Sequence, residues 1–552
     1  MAGEFVPADY QVGLPREQII LAEEPGEEKI EFDVVFVGAG PAGLAGAIEL
    51  ARLVRGDNES GGGIGDVSIG VLEKAAALGE HNLSGAVVNP RAFRDLFPEL
   101  EDTDFPLHTP VERESLYLLS ETRSRQLPMP PSMHNKGNYV ASICEIVRWL
   151  GEKAEGLGVD VFAGFPAGAL LTDGNRVLGV RTVPTGLDRD GNEMSNFMPS
   201  ADIVAKVTAL SEGTRGMLTQ AYLEWQDVGS ENPQVYALGV KELWELERPL
   251  DRVIHTMGWP LPKDVFGGSF MYPLEEKVAA FGLVAGLDQP YRDLDVHDLL
   301  QRMKLHPLFK QILEGGELVE WGAKTIPEGG YFALPERRSG DGVVILGDAA
   351  GLVDVPSLKG IHYAMQSGIY AAHAIFTALK AEDTSAAKLA EYDRLVNRSY
   401  VRDDLYRTRN VRLAFKDGFY KGGLKAGLMT LTGGRFPGGR ISMHRDIDVP
   451  RREGGAVAIT PDSKLTFSKV DAVFKAGNAT RDTIPTHLIV GEDIPEDVAK
   501  YYTCLCPAGV YEVEDGKLTV NAPNCVDCKA TDVVGPRWTP REGGAGPAYT
   551  RM

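Results

Sequence analysis

This chain has few cysteines, no excess of basic residues and no long apolar run. Its 552 residues include five cysteines, too few for a disulfide scaffold. Acidic residues outnumber basic ones by 78 to 57, and the net charge of −21 argues against nucleic acid as a partner. No apolar run reaches the about 18 to 20 residues of a membrane-spanning helix, so any membrane contact is predicted to be from one side.

The opening stretch, MAGEFVPADYQVGLPREQII, also lacks the features of a targeting leader. It has no basic start followed by an apolar core, and it is neither Arg-rich nor acid-poor. We therefore expect no secretory or mitochondrial leader, and a protein that stays where it is made.

What is present begins with a dinucleotide-binding pattern in FDVVFVGAGPAGLAGAIELARL, from Phe32. A β-branched apolar run leads into Gly38, Gly40 and Gly43, and a helical pattern follows. The first glycine permits a tight turn, the second lets a pyrophosphate approach the backbone, and the third lets helix pack on strand. The helix N-terminus would supply N–H groups and partial positive charge to the phosphates.

A second strand, VSIGVLEK, follows this helix and ends in Glu73, whose carboxylate can accept the ribose hydroxyls of an adenosine. Much later, GDGVVILGDAAGLVDVPSLKGIHYAM predicts another buried strand, a turn at Asp348 and a helix from about Gly360. Asp348 can hold a ribityl hydroxyl, and the helix start can face the flavin pyrimidine. Two such distant segments indicate FAD. Since no second complete nucleotide-binding unit for NAD(P)H is found, we expect electrons to arrive from a protein.

Four of the five cysteines crowd together near the C-terminus, in CLCPAGVYEVEDGKLTVNAPNCVDCKATD from Cys504. Such clustering indicates metal or redox chemistry. Cys144 stands alone in an apolar-periodic stretch and is predicted to be a buried core thiol.

RLAFKDGFYKGGLKAGLMTLTGGRFPGGR, from Arg412, is basic within an acidic protein. Tyr420, Leu424, Leu428 and Leu431 recur at helical spacing beside lysines, as in a helix lying in a membrane interface. The alternative is a solvated surface helix, because its internal glycines each cost about 1 kcal/mol relative to alanine. LPMPPSM, from Leu127, is apolar and proline-rich and is predicted to be a second shallow membrane contact.

Further blocks extend a family resemblance over nearly the whole chain, among them LEKAAALGEHNLSGAVVNPRAF, HTMGWPLPKDVFGGSFMYPL, KTIPEGGYFALP and CPAGVYE. The chain resembles the electron transfer flavoprotein:ubiquinone oxidoreductase family. The resemblance implies FAD, with Ser84 and Gly85 added to its binding residues, and a [4Fe–4S] cluster. It further implies quinone binding at Gly267 and Gly268, which without the resemblance would be taken for a turn or bulge. Implied partners are electron transfer flavoprotein and a membrane quinone, at the cytoplasmic face of a bacterial inner membrane.

The chain departs from the family pattern at two positions. The family's four cluster cysteines correspond to Cys506, Cys525, Cys528 and, at the fourth place, Thr531. The alternatives are replacement by Cys504, a three-iron or oxygen-ligated cluster, or no cluster; replacement by Cys504 would require a bend in the chain. Ser142 stands where the family commonly has an arginine.

The predicted fold class is α/β, with α+β character overall. We expect a Rossmann-like FAD-binding domain in segments 30–185 and 331–400, a segment at 186–330 that is mainly the quinone-binding or substrate domain, a membrane-facing helical segment at 401–454 and a ferredoxin-like iron–sulfur domain at 455–552. The predicted activity is transfer of electrons from reduced electron transfer flavoprotein through iron–sulfur and FAD centres to membrane quinone. The alternatives are a geranylgeranyl-reductase-like flavoenzyme and a non-catalytic docking subunit.

Overall fold

The computed structural model describes residues 5–552. Its α-helices, in chain order, are α1 (Arg16–Ile19), α2 (Pro41–Glu59), α3 (Arg91–Leu96), α4 (Ile143–Glu155), α5 (Met217–Trp225), α6 (Val296–Lys304), α7 (Pro307–Leu313), α8 (Ile361–Lys380), α9 (Ala386–Asn397), α10 (Tyr400–Thr408), α11 (Phe419–Leu431), α12 (Lys469–Phe474), α13 (Glu496–Leu505) and α14 (Ala530–Val534).

Its strands are β1 (Ile20–Leu21), β2 (Lys29–Val37), β3 (Ile69–Glu73), β4 (Val87–Val88), β5 (Thr109–Pro110), β6 (Glu114–Leu119), β7 (Ser124–Leu127), β8 (Tyr139–Val140), β9 (Asp160–Ala163), β10 (Ala167–Asp173), β11 (Arg176–Thr182), β12 (Thr185–Leu187), β13 (Glu193–Met198), β14 (Asp202–Leu210), β15 (Tyr236–Glu245), β16 (Val253–Gly258), β17 (Gly267–Pro273), β18 (Val278–Gly286), β19 (Glu317–Pro327), β20 (Ser339–Gly340), β21 (Val343–Ile345), β22 (Leu488–Ile489), β23 (Tyr511–Glu514), β24 (Lys517–Val520) and β25 (Arg537–Trp538).

The first sheet has the strand order β1-β10-β11-β14-β2-β3-β9, with β21 also beside β14 and β20 beside β21. Strands β21, β14, β2, β3 and β9 run parallel to one another. The residues of β2 from Val34 to Val37 are buried, as expected for a parallel strand covered on both faces. Helices α2 and α8 pack against each other. This parallel sheet with its packed helices is the predicted Rossmann-like unit built from distant segments.

The second sheet has the order β19-β15-β18-β17-β16-β6-β7 and is antiparallel except between β16 and β6. Trp244 and Trp321 of β15 and β19 are fully buried. Lys304 of α6 forms a buried ion pair with Glu242, at 3.0 Å, beneath this sheet. Because parallel pairing of β6 with β16 requires a long crossover, distant parts of the chain meet in one sheet.

The strands of the two sheets do not separate at residue 186, where the sequence predicts a domain boundary. Strand β14 pairs with β2 in the first sheet, whereas β6 and β7, from within 30–185, belong to the second. The chain crosses between the two sheets several times, and a linear boundary cannot describe that path. β14 is an apolar, β-branched run of the kind found at the centre of parallel sheets.

The C-terminal region combines α12, α13 and α14 with two short two-stranded sheets, β22–β25 and β23–β24. The N-terminal segment packs on it, since Gln11 Nε2 donates to the carbonyls of Asp532 and Gly535 at 3.1 and 2.7 Å. Cys144 lies fully buried on α4, with Sγ 3.3 Å from the carbonyl oxygen of Asn82. Among the described residues, no helix is both long enough and apolar enough to span a membrane.

Candidate functional site

A cavity of about 930 Å³ lies between the two sheets, and most of the predicted binding residues line it. Protein sites for small molecules and cofactors commonly enclose about 300–1,000 Å³. The cavity extends from the glycine-rich turn after β2 to the inner face of α11. Of the predicted flavin and quinone residues, it is lined by Gly38, Gly40, Glu73, Ser84, Gly85, Asp348, Gly360, Gly267 and Gly268.

The glycine-rich turn has the close packing that its sequence predicts. Gly38 has φ +108°, and a Cβ there would lie 2.4 Å from the carbonyl oxygen of Ser211. A Cβ on Gly43, which is buried at the start of α2, would lie 2.2 Å from the carbonyl oxygen of Gly38. At Gly40 the nearest atom would be Asn82 Oδ1, at 3.8 Å, so this backbone is open toward the cavity. The turn therefore fits a bound pyrophosphate.

Glu73 is the last residue of β3 and lies at the edge of the same cavity. Its carboxylate accepts hydrogen bonds from the backbone N–H groups of Ala39 and Ala75, at 3.1 and 2.9 Å. These bonds fix the side chain beside the glycine turn, where an adenosine ribose is predicted to bind. Ser84 Oγ accepts a hydrogen bond from Ala86 N, at 3.2 Å, and holds the loop that carries Gly85.

Asp348 and Gly360 come together although 12 residues separate them. Asp348 lies in the turn after β21, and Gly360 is the N-cap of α8, which has no side-chain cap. A Cβ on Gly360 would lie 3.8 Å from Asp348 Oδ1. Burial raises the pKa of Asp348 to about 6, and Lys324 partly opposes this shift. The exposed N–H groups of α8 and this carboxyl suit a polar, partly anionic ligand.

Two lysines, the buried Lys359 and the half-buried Lys324, add positive charge to the cavity wall. Burial lowers the pKa of Lys359 to about 8, against the attraction of Asp354 and Glu114. Burial likewise lowers the pKa of Lys324 to about 8. Lys359 Nζ donates to the Ser357 carbonyl at 2.7 Å, and Lys324 Nζ to the Asp527 carbonyl at 3.2 Å.

Gly267 and Gly268 open strand β17 and form part of the opposite wall. A Cβ on Gly267 would lie 2.1 Å from the carbonyl oxygen of Val284, and one on Gly268 would lie 2.6 Å from that of Thr256. Phe266 and Phe270 also line the cavity, as the sequence indicates. The neighbouring strands therefore leave no room for a side chain at either glycine, and both glycines line the cavity.

The cavity reaches the protein surface beside α11. Gly423, Ala426, Gly427 and Thr430 face it, together with residues of the proline-rich segment LPMPPSM. On the outer side of the helix, Tyr420 and Leu424 are 68% and 69% exposed, and Leu431, which also lines the cavity, is 83% exposed. The predicted apolar stripe thus lies on the surface at the mouth of the cavity.

The structure corrects the interpretation of Arg412 as one of the basic surface residues of this segment. Its guanidinium is buried and pairs with Glu328 at 2.7 Å and Asp288 at 2.9 Å. It also lies 4.1 Å from the centre of the Phe266 ring. Arg412 therefore belongs to the cavity wall, because two buried carboxylates require a cation beside them.

A second, much smaller cavity lies in the C-terminal region. Cys506, Cys525, Cys528 and Thr531 all line it, and Cys504 does not. Tyr511 also lines it, and its buried hydroxyl has no hydrogen-bond partner among the described residues. Three thiols, one hydroxyl and a free phenol fit an iron–sulfur cluster, whose irons bind thiolates and whose sulfides accept hydrogen bonds.

The loop between Cys525 and Cys528 is tied to the flavin side of the molecule through Asp527. Although burial favours its neutral form, Arg541 and Lys74 hold the pKa of this carboxylate well below its usual range. Arg541 Nη2 and Trp538 Nε1 donate to it at 2.8 and 3.0 Å, and Lys74, the residue after Glu73, also contacts it.

Lys529 and Trp538 line both cavities and so form the partition between them. Lys529 Nζ lies 4.5 Å from the centre of the Trp538 ring and donates to the carbonyls of Thr214 and Arg215, at 3.0 and 3.1 Å. Neither residue was singled out from the sequence.

Sequence reasoning also missed Ser211 and Lys324. Ser211 Oγ lies 2.9 and 2.8 Å from the carbonyl oxygens of Val37 and Gly38. The apolar run VTAL followed by SEGTRG was a usable signal, since ligands bind beyond the carboxyl ends of parallel strands. Lys324 lies within a strand of the second sheet and has no comparable signal. Ser142, at the departure noted above, caps α4 by accepting from Glu145 N.

Comparison with known proteins gives consistent family matches. The family described as "ETF-QO, ubiquinone-binding" matches residues 236–326. The one described as "Electron transfer flavoprotein-ubiquinone oxidoreductase, 4Fe-4S" matches residues 463–550.

Curated relatives match over nearly full length. The chain is 38% identical to the mitochondrial electron transfer flavoprotein-ubiquinone oxidoreductase of Oryza sativa subsp. japonica, over 96% of this chain and 94% of that protein. It is 37% identical to the Pseudomonas aeruginosa protein of the same name, over 95% of this chain and 100% of that protein. The human mitochondrial protein is 36% identical, over 95% of this chain and 89% of that protein.

Solved structures are similar in fold. A geranylgeranyl bacteriochlorophyll reductase-like protein from Thermoplasma acidophilum has a TM-score of 0.57 at 19% identity, covering 74% of this chain and 97% of that one. The flavin-dependent brominase Bmp2 has a TM-score of 0.51 at 17% identity, covering 73% and 94%. At these identities the likeness concerns the fold alone.

Proposed function

Because the chain belongs to the electron transfer flavoprotein-ubiquinone oxidoreductase family, we propose that its two cavities form one route for electrons from electron transfer flavoprotein to quinone. The protein is an oxidoreductase, and its cofactors are FAD and an iron–sulfur cluster. The observation that carries the proposed route is the shared partition, Lys529 and Trp538, between the cavity of the cysteines and the cavity of the glycine turn.

The flavin end of the route is held by residues from both segments of the first sheet. The turn at Gly38 and Gly40 and the start of α2 would bind the pyrophosphate, and Glu73 the adenosine ribose. Asp348 would bind a ribityl hydroxyl, and α8 with Lys359 would face the pyrimidine. Bound FAD supplies the chemistry, because it accepts and releases electrons singly or in pairs. The chain supplies orientation and positive charge.

Quinone would enter from the surface beside α11 and bind against Gly267 and Gly268. The inner face of α11 is built from small residues, Gly423, Ala426 and Gly427, which leave room for a flat ring and an isoprenoid tail. The buried pair of Arg412 with Glu328 closes the wall beyond Phe266. This end of the cavity is apolar, as a lipid-dissolved substrate requires.

We further propose a peripheral position on the cytoplasmic face of a bacterial inner membrane. The exposed stripe Tyr420, Leu424, Leu428 and Leu431 would enter the acyl boundary, and Lys421 and Lys425 would reach the headgroups. The proline-rich segment from Leu127 forms the other side of the cavity mouth. This orientation aims the mouth at the lipid.

The two alternative functions find less support. Likeness to a geranylgeranyl reductase-like protein is a likeness of fold, and the match of residues 463–550 to the 4Fe-4S description has no place in that alternative. A docking subunit without catalysis would not need a cavity lined by Gly38, Gly40, Gly267 and Gly268.

A steady-state assay tests the proposed function. Purified protein is mixed with reduced electron transfer flavoprotein and a soluble ubiquinone or menaquinone analogue under anaerobic conditions. We expect quinone consumption that depends on both components, and comparison of the two analogues identifies the preferred ring. Absence of turnover with either quinone by flavin-loaded protein would contradict the proposal.

A further inference from the structure

The fourth corner of the cysteine cavity is formed by a threonine. Thr531 lies in the first turn of α14, is 7% exposed, and lines the cavity with Cys506, Cys525 and Cys528. The three thiols and the Thr531 hydroxyl therefore surround one space.

Thr531 is held in this position by the residues on either side of it. Asp532 is fully buried, and its carboxylate accepts from Arg215 Nε at 2.9 Å, Gln220 Nε2 at 3.2 Å and Trp538 N at 3.2 Å. On the other side, Lys529 is anchored to the Thr214 and Arg215 carbonyls at 3.0 and 3.1 Å. These contacts hold the chain on both sides of Thr531 in place.

Cys504, the other thiol nearby, does not line this cavity. It lies within helix α13, whereas Cys506 is the extended residue that ends this helix. Residues two apart do not share a helix face. The structure therefore does not bring Cys504 together with the other three thiols.

His487 is the second competitor for the fourth corner. One of its ring nitrogens, Cys525 Sγ and an Asp527 oxygen all lie within 4.8 Å of one another, and neither ring nitrogen has a hydrogen-bond partner among the described residues. However, His487 does not line the cavity.

We propose that the cluster is held by Cys506, Cys525 and Cys528, and that its fourth iron faces the Thr531 hydroxyl, making this iron exchangeable. This inference rests on the proposed function, because it assumes that the cavity receives the family's cluster. The proposed cluster has three thiolate ligands and a threonine hydroxyl at the fourth iron, in place of four thiolates.

The chemical reason is the difference between a hydroxyl and a thiol. Thiols have a pKa of about 8.5 and readily bind iron as thiolates, whereas an aliphatic hydroxyl loses its proton far less easily. Soft thiolate ligands also suit iron–sulfur clusters better than oxygen does. An iron without a thiolate is therefore released more easily than the other three. With ferricyanide as oxidant, [4Fe–4S]²⁺ gives [3Fe–4S]⁺ and one Fe²⁺, and ferricyanide takes up the one electron.

Iron counting with electron spin resonance tests this proposal on the whole, flavin-loaded protein. Protein isolated without oxygen and reloaded with ferrous iron is expected to hold four irons. One equivalent of ferricyanide should then release one iron and produce the signal of an oxidised three-iron cluster. Adding ⁵⁷Fe²⁺ with a reductant should restore four irons, with the label in a single site by Mössbauer spectroscopy.

Three variants identify the group at the fourth corner. Thr531→Cys should retain all four irons under the same treatment. Cys504→Ser and His487→Gln should release one iron as the unchanged protein does. Flavin content and thermal unfolding show whether each variant is folded.

Two results would overturn the proposal. One is an unchanged protein that keeps four irons in ferricyanide and loses one only when Cys504 or His487 is replaced. The other is a protein that takes up no iron even when reloaded. Reduction of the bound flavin by electron transfer flavoprotein is measured on the same samples, so failure of the ligand assignment is distinguishable from failure of the proposed function.

Discussion

At the scale of single residues, the large cavity depends on glycines beside which no side chain fits and on a lysine whose pKa is lowered by burial. Gly43 meets the Gly38 carbonyl so closely that a methyl group would force the start of α2 away from β2. Lys359 is a cation in an environment that favours its neutral form. We therefore expect flavin binding and flavin potential to respond to substitutions of residues that take no chemical part in the reaction.

Replacing Gly43 with alanine is expected to cost about 1–3 kcal/mol of overpacking at the phosphate-binding turn. Flavin content, measured as the ratio of flavin to protein absorbance, should fall severalfold. Gly56→Ala on the same helix is the matched control, because a Cβ there meets nothing within 4 Å. Equal flavin content in the two variants would contradict the role assigned to the turn.

Lys359 predicts a pH dependence of flavin reduction. Its pKa, lowered to about 8 by burial against Asp354 and Glu114, leaves it charged below that pH and neutral above it. A positive charge favours the electron-rich, reduced ring, so the flavin potential should fall more steeply as pH rises from about 7 to 9.

Lys359→Arg should remove this extra dependence, since arginine stays charged throughout that range. Lys359→Met should give the lower potential at every pH. Spectroelectrochemical titration of the bound flavin measures both. An unchanged pH profile in Lys359→Met would exclude the lysine as its source.

At the scale of elements, α11 shows how far the sequence predicts this molecule. Its apolar stripe follows from spacing alone, and the structure places those residues on the surface. The glycine turn and the two cofactor segments are equally local patterns. Arg412 was misread because partners for a charge, here Glu328 and Asp288, come from elements far away in the chain. Lys324, Trp538 and the pairing of β14 with β2 escaped prediction for the same reason.

A charge on the exposed face of α11 is expected to weaken vesicle binding. Burying a leucine is worth about 1.5–3 kcal/mol, so Leu424→Glu should reduce partitioning onto anionic lipid vesicles by at least about tenfold. Turnover with a water-soluble quinone should be retained. Met198→Glu is the control, because Met198 is 60% exposed on β13 and does not line the cavity. Equal vesicle binding by the two variants in a flotation assay would refute the membrane-facing assignment.

At the scale of the whole molecule, the C-terminal region is locked onto the flavin side by buried charges. Lys74 follows Glu73 and contacts Asp527, which lies between Cys525 and Cys528. Trp538 donates to the same carboxylate and separates the two cavities. The two proposed cofactor sites therefore share one wall.

Replacing the indole of Trp538 should slow electron transfer between the two cavities. Trp538→Leu leaves space where the indole packs, and electron transfer slows steeply as intervening atoms are removed. We expect a severalfold slower transfer of electrons between the cysteine cavity and the glycine-turn cavity. Rapid-mixing spectroscopy measures this rate. Trp538→Phe keeps an aromatic ring and should lie close to the unchanged protein. Identical rates in all three proteins would argue for a path that bypasses this wall.

The most direct measurement of the central claim is a single turnover observed through the bound flavin. Flavin-loaded protein is mixed rapidly and anaerobically with reduced electron transfer flavoprotein, and a quinone is added in a second mixing step. We predict bleaching of the flavin absorbance in the first step and its recovery in the second. A bound flavin whose spectrum is unchanged by either addition would contradict the account.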